Sequence, residues 1–318
     1  MNDAHQHDSP YTREPFDYKP WREFYELLSG AGVVAALVIA GVLIFASDLP
    51  AYWQNLYITG VGVALTVGIL DRRAEHRATQ QRKDELILQM GSPDNAFAIE
   101  AVRILRSKGW LTDGSLRGTD LIGANLQRAR LLNADLESAN LSTSKLMSAR
   151  LNQANLQRTN LSWADLEEAS LPEATLYQAD LRKTNLTGVY LNIADLQEAR
   201  LDGTRLSGAN LEAANLRGAT LENADAQRAS LVNTRLCETS LVHTNLQEAN
   251  LERADLSGAN LTDANLQGAN LTNTTFSPQT ILPDGTHWTP DSDMRRFTDP
   301  NHPSVWRSDE PGRSAFWG

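Results

Sequence analysis

The 318-residue sequence lacks the marks of chemistry. It has no Walker loop, no Gly-x-Ser-x-Gly elbow, no His-Glu-x-x-His pair and no Cys/His spacing of a zinc site. Nucleotide-driven, acyl-transfer and metal-hydrolase reactions therefore have no recognisable machinery. Cys237 is the single cysteine, which excludes an internal disulfide and fits a reducing compartment. There is no basic excess either. The net charge is −10, divided as −2 over 1–110, −6 over 111–276 and −2 over 277–318. Direct nucleic-acid binding is not expected from that balance. No cofactor, metal or catalytic residue is expected, and the chain reads as a non-enzyme. His5 and His7 lack further ligands and read as part of a solvated tail.

The sequence does have a repeat. From Leu116 to Phe276 a large apolar residue recurs at every fifth position, with Ala226 the one small exception. Two places before each stands a small residue, usually Ala, as at Ala124, Ala129 and Ala134, otherwise mostly Thr, as at Thr159 and Thr184. Asn or Asp often lies between, as at Asp120, Asn125, Asp135 and Asn140. A period of five suits neither a helix, at 3.6, nor a plain strand, at 2. It suits three extended residues followed by a corner. Gly and Asn are common at the second corner position, as at Gly118, Gly123, Gly203 and Asn133. Both tolerate a left-handed backbone. Four sides and four corners close a square coil of about twenty residues.

These residues resemble the pentapeptide-repeat family over about half the chain. The resemblance implies an all-β solenoid, a right-handed quadrilateral β-helix. The 33 units make about eight coils, or a rod about 40 Å long at the usual strand spacing. Leu fills the axis. Ala226 in place of Leu, and Val189 in place of Ala, mark a bend or a void.

The pattern divides the chain into a disordered tail (1–26), a transmembrane helical hairpin (27–70), a helical linker and N-terminal cap (71–110), the β-helix (111–282) and a Pro/aromatic C-terminal cap and tail (283–318). Leu27–Ala46 is uncharged and long enough to cross a bilayer, and a second apolar run covers Leu56–Leu70. Basic residues flank both ends and none lies between, which places both termini in the cytoplasm and the chain in the inner membrane. Ser92 is the expected N-cap of the capping helix, with Pro93 first in it and Gly109 as its stop. Its apolar face is expected to be Phe97, Ala101, Ile104 and Leu105. Ile281 continues the inward register, and the aromatics beyond it either plug the last coil or dock on a partner.

Residues twenty apart should stack on one wall. That sets Trp163 beside Lys183 for a cation–π contact, and Arg130 beside Arg150, with Arg128 near. The arginines invite an anion or an acidic partner, or else splay into water. Outward Tyr177, Tyr190, Ile193, Val232 and Val242 fall on several faces. The expected function is a membrane-anchored scaffold or protein-binding module. Its expected partners are the lipid bilayer and a cytoplasmic protein, with a homo-oligomer possible. The alternative, implied by the family resemblance, is a DNA mimic regulating a type II topoisomerase.

Overall fold

A computed structural model describes residues 51–307. They fall into two compact units that divide between Gln80 and Gln81. The first contains the start of helix α1 (Ala51–Met90); the second contains the end of α1, helix α2 (Asn95–Ser107), the repeats and the short helix α3 (Arg295–Thr298).

The repeats wind a right-handed, four-sided β-helix. Parallel bridges join residues twenty apart in unbroken series, from Asp120↔Asn140 to Asp255↔Thr275. We number coils from residue 119, twenty residues each, and letter their sides: face A is 119–123, B 124–128, C 129–133 and D 134–138 in coil 1. The inward leucines and their small neighbours are buried almost without exception, in one continuous core.

The repeat around Asn140 accounts for all five of its backbone N–H groups, as buried backbone requires. Around Asn140, Asn140 N–H donates to Thr119 O in the coil before, and Leu141 N–H to Asn160 O in the coil after. The second corner residue, Thr143, donates to Ser162 O, and Ser144 N–H closes the turn onto Leu141 O. The first corner N–H, that of Ser142, has no backbone acceptor and takes the Asn140 side-chain oxygen instead. The same Asx bond recurs at Asn155, Asn160, Asp165, Asp180 and many others. The Asn/Asp preference therefore has a local cause, which outward pointing alone does not supply.

The second corner residue is left-handed at every turn, not only where Gly or Asn stands. Its φ is +66° at Gly123, +61° at Trp163 and +62° at Ile193. A β-turn whose third residue has positive φ is of the type II kind. Closing the square imposes this conformation on residues that otherwise avoid it. Thr at the small inward position adds a bond of its own, as when the Thr159 hydroxyl donates to Leu136 O. Around Ala226 the core is slightly open: Leu221 and Leu231 are 3% exposed where most inward leucines are at 0–1%. The missing leucine leaves looser packing.

At the N-terminal end, α2 lays Ala98, Ala101, Val102 and Leu105 into the same core as Leu116 and Leu121. This corrects the expected face: Phe97 is 64% exposed and Ile104 only partly buried. The N-cap is Asp94, not Ser92; its carboxylate accepts from the N–H groups of Ala96 and Phe97. The Ser92 carbonyl is used elsewhere, accepting from Asn125 N–H where a preceding coil would have done so. The Leu111 carbonyl accepts from Asp135 N–H in the same way, and the Asn95 side-chain amide donates to the carbonyls of Asn125 and Gln127. At the other end the register slips. Asn260 pairs with Ile281, twenty-one residues on, because one extra residue enters after Phe276. Ile281 thus takes a bridge position rather than the expected inward one, and Thr280 and Leu282 are buried beside it. The chain then doubles back through an antiparallel bridge to His287, and Trp288 stacks on Phe276 with ring centroids 5.8 Å apart.

The inner-membrane placement is overturned, and the membrane hairpin finds no support. Among the described residues no helix is long and apolar enough to cross a membrane. The expected second span, 56–70, is part of the single helix α1, which runs on through Asp71, Arg72 and Arg73. The run 56–70 itself covers only about 22 Å at 1.5 Å per residue, short of a bilayer core of about 30 Å. The expected first span, 27–46, and the tail before it lie outside the described residues, as do 308–318.

Candidate functional site

Among the described residues of the second unit, the outer wall is a large surface that the core leaves open. The coil assigns each of the five expected site residues a fixed place on that wall. Arg130 and Arg150 are bridge partners on face C, one coil apart. Arg128 stands at the corner where face B meets face C, with φ +59°. All three are exposed. None has an ion-pair partner among the described residues, whereas Arg117, Arg158, Arg182, Arg217 and Arg228 each do. The Lys183 ammonium lies 4.8 Å from the Trp163 ring centroid, on the corner between faces A and B. The structure therefore makes two clusters of the five residues, at opposite edges of face B. Trp163 is 62% exposed despite its cationic neighbour.

The wall elsewhere is largely self-satisfied. Arg117 donates to Asp135 at 2.6 Å and lies 3.4 Å from Glu137, to which Arg158 also binds. That network knits face D of the first coils, and the Asp135 carboxylate beside it holds the Arg117 guanidinium above its ordinary pKa. Asn245 and Asn265 continue a side-chain ladder on face B. Three apolar residues share face C: Tyr190 and Ile193 in coil 4, 52% and 59% exposed, and Val232 two coils on. Tyr177 lies on face D and Val242 on face A. Reading outward residues one at a time misses this grouping; sorting them by their remainder on division by twenty finds it.

Among the described residues no group of three or more His, Cys, Asp or Glu is placed to hold a metal. Cys237, on face D, donates its thiol to Asp255 at 3.0 Å. Burial and that carboxylate push the thiol up to about 11. Burial works against the Asp255 carboxylate, yet hydrogen bonds from Ser257 and Cys237 hold it below its ordinary value. A thiol held protonated is a poor nucleophile. Cys237 is expected to react with iodoacetamide at pH 8 about a hundredfold more slowly than free cysteine, given the rise from 9.0. Mass spectrometry of timed samples measures this; equal rates would contradict the Asp255 contact. The sign of the linked stability follows. A raised thiol stabilises the fold fully below its unfolded pKa, and that contribution fades as pH climbs from 9.0 toward 11.

Comparison with known proteins rests on the repeats. The family model described as pentapeptide repeats matches in eight copies across residues 114–277, more than half the chain. Among solved structures, HetL, a pentapeptide repeat protein involved in heterocyst differentiation regulation from the cyanobacterium Nostoc, is 31% identical. The match covers 60% of this chain and 99% of HetL, with a TM-score of 0.34. QnrB1, a plasmid-mediated fluoroquinolone resistance protein, is 16% identical over 55% of this chain and 88% of its own, with a TM-score of 0.38. Rfr23 from the cyanobacterium Cyanothece is 26% identical over 52% and 89%, with a TM-score of 0.18. No curated protein matches the chain.

Proposed function

Because the chain belongs to the pentapeptide-repeat family, we propose that it is a non-enzymatic protein-binding module, a rigid scaffold whose outer wall docks an acidic surface of another protein. The observation that supports this most is the unpaired arginine cluster, Arg128, Arg130 and Arg150, on a wall where most other arginines are already engaged. The backbone beneath is pinned coil to coil by hydrogen bonds of 2.7–3.0 Å, as at Leu126, Arg128, Leu131 and Arg150. A partner therefore meets side chains whose bases are already ordered, which lowers the entropic cost of docking. Trp163 with Lys183 forms a second anchor one face away, of the aromatic-plus-cation kind enriched at interfaces.

The reading is tested by cross-linking and recovery from cells with the full chain. Replacing Arg128, Arg130 and Arg150 together by Glu should remove the specifically recovered proteins while leaving the circular dichroism spectrum unchanged. Recovery of the same proteins by the reversed variant would sink it. A nucleic-acid mimic acting on a type II topoisomerase is the second reading. It requires a continuous acidic face. Face C carries three cations and no carboxylate across coils 1 and 2, and arginines interrupt the other faces.

A further inference from the structure

Face C, with the corners that bound it, is divided into bands. Coils 1 and 2 present Arg128, Arg130 and Arg150 and no acid. Coil 3 presents Glu168 and Glu173 and no cation. Coil 4 presents no charge, but the exposed pair Tyr190 and Ile193. Charges of opposite sign thus lie one coil apart, yet none of these five residues has an ion-pair partner among the described residues. Glu173 accepts a single hydrogen bond of 2.9 Å from Gln153. Ile193 stands at a corner position that is elsewhere mostly glycine or polar, and it is 59% exposed.

We propose that face C is a self-association surface on which a second copy of this chain packs antiparallel. The two-fold axis lies in the interface plane, across the rod, level with the gap between coils 2 and 3. The inference rests on the reading of the wall as a docking surface, and it names the acidic partner as another molecule of the same chain. A surface meeting itself across a two-fold axis must be self-complementary. Rotation about this axis sets coil 2 of one copy against coil 3 of the other, and coil 1 against coil 4. Arg150 then faces Ser170 of the second copy, between Glu168 and Glu173, twice by symmetry. Tyr190 lands on Arg130, and Ile193 on Asn133. The basic band covers the acidic band, so the approach of two copies is steered as well as held. Four coils span only about 20 Å of the rod, less than a permanent interface with about 800 Å² per partner needs. The dimer is therefore reversible and concentration-dependent.

The test is sedimentation equilibrium of the full chain, at low and high salt, from sub-micromolar upward. Arg150→Glu and Glu173→Arg should each weaken dimerisation by about tenfold or more, and the double variant carrying both should recover most of the loss. Circular dichroism confirms that each variant keeps the fold. In a Cys237→Ser background, Asn152→Cys should give a covalent dimer with a short bismaleimide, and Thr262→Cys, on face A, should not. A chain that stays monomeric at every concentration overturns the inference, even if the arginine triplet still captures some other acidic protein. A dimer indifferent to both single reversals, or not restored by the double variant, overturns it as well.

Discussion

Deleting Gln197 alone is expected to abolish cooperative unfolding of the repeat region. Gln197 is a corner residue, and its own side chain only folds back onto Asp195. Its loss nevertheless moves every later residue one place round the coil. Leu201, Leu206, Leu211 and all their successors would leave the axis, and polar neighbours would enter it. Each exposed leucine forfeits about 1.5–3 kcal/mol of burial, and a whole domain holds only about 5–15 kcal/mol in reserve. Removing twenty residues, 179–198, should do far less. That cut takes out one complete coil, and every column closes up in register as in other solenoids. Urea unfolding followed by circular dichroism distinguishes the two: the long deletion keeps a cooperative transition with a smaller m-value, and the short one loses it. A single deletion that merely lowered the midpoint would show that the register is not what holds the rod. The natural slip after Phe276 is consistent with this, because it comes only at the last coil, where little core remains to be misplaced.

The second large effect is expected at the N-terminal end. Leu105→Asp puts a carboxylate at a position with no exposure, packed between α2 and the first coil. Burying an unpaired charge costs several kcal/mol. The loss should be local, since solenoid coils depend mainly on their neighbours. With α2 displaced, Asn125 and Asp135 lose the carbonyls of Ser92 and Leu111, and the first coil becomes an open edge. Hydrogen exchange should show lost protection for Leu121–Leu136 with coils 5–8 unchanged, and size-exclusion chromatography should show end-to-end association. Uniform loss of protection along the whole rod would contradict the capping role of α2.

Particular residues show how far the sequence alone could be read. The five-residue spacing from Leu116 to Phe276 carries the coil, because burial along an axis tolerates no other placement of those leucines. Left-handed corners were legible at Gly123 and Asn133. They were not at Trp163 or Ile193, whose own preferences oppose it, because closure of the square is a property of the whole coil and overrides the single residue. The role of Asn140 and its equivalents was half legible: pointing outward was clear, capping the next corner was not. The face of α2 was misplaced because adjacent stripes on one short helix, Phe97–Ile104 and Ala98–Val102, satisfy the same periodicity. Only contact with the first coil chooses between them. The Ser92 cap failed for a related reason, since Asp94 is the better-placed acceptor for the first helical N–H groups. The hairpin failed because an apolar run of fifteen residues belongs to a longer charged helix. Of the wall, Trp163 with Lys183 and Arg130 with Arg150 followed from the count of twenty. The banding of face C needed all four faces laid out together.

Register is tested most directly by a pair of cysteines. In a Cys237→Ser chain, Asn160→Cys and Asp180→Cys occupy bridge partners on face A, where stacked strands lie about 4.8 Å apart. Dibromobimane should join them rapidly and become fluorescent. A control pair at Asn160 and Gln178, eighteen residues apart and on different faces, should remain unlinked. If the twenty-residue pair stays unlinked in the folded chain, the coils do not stack with a period of twenty and the square coil is wrong.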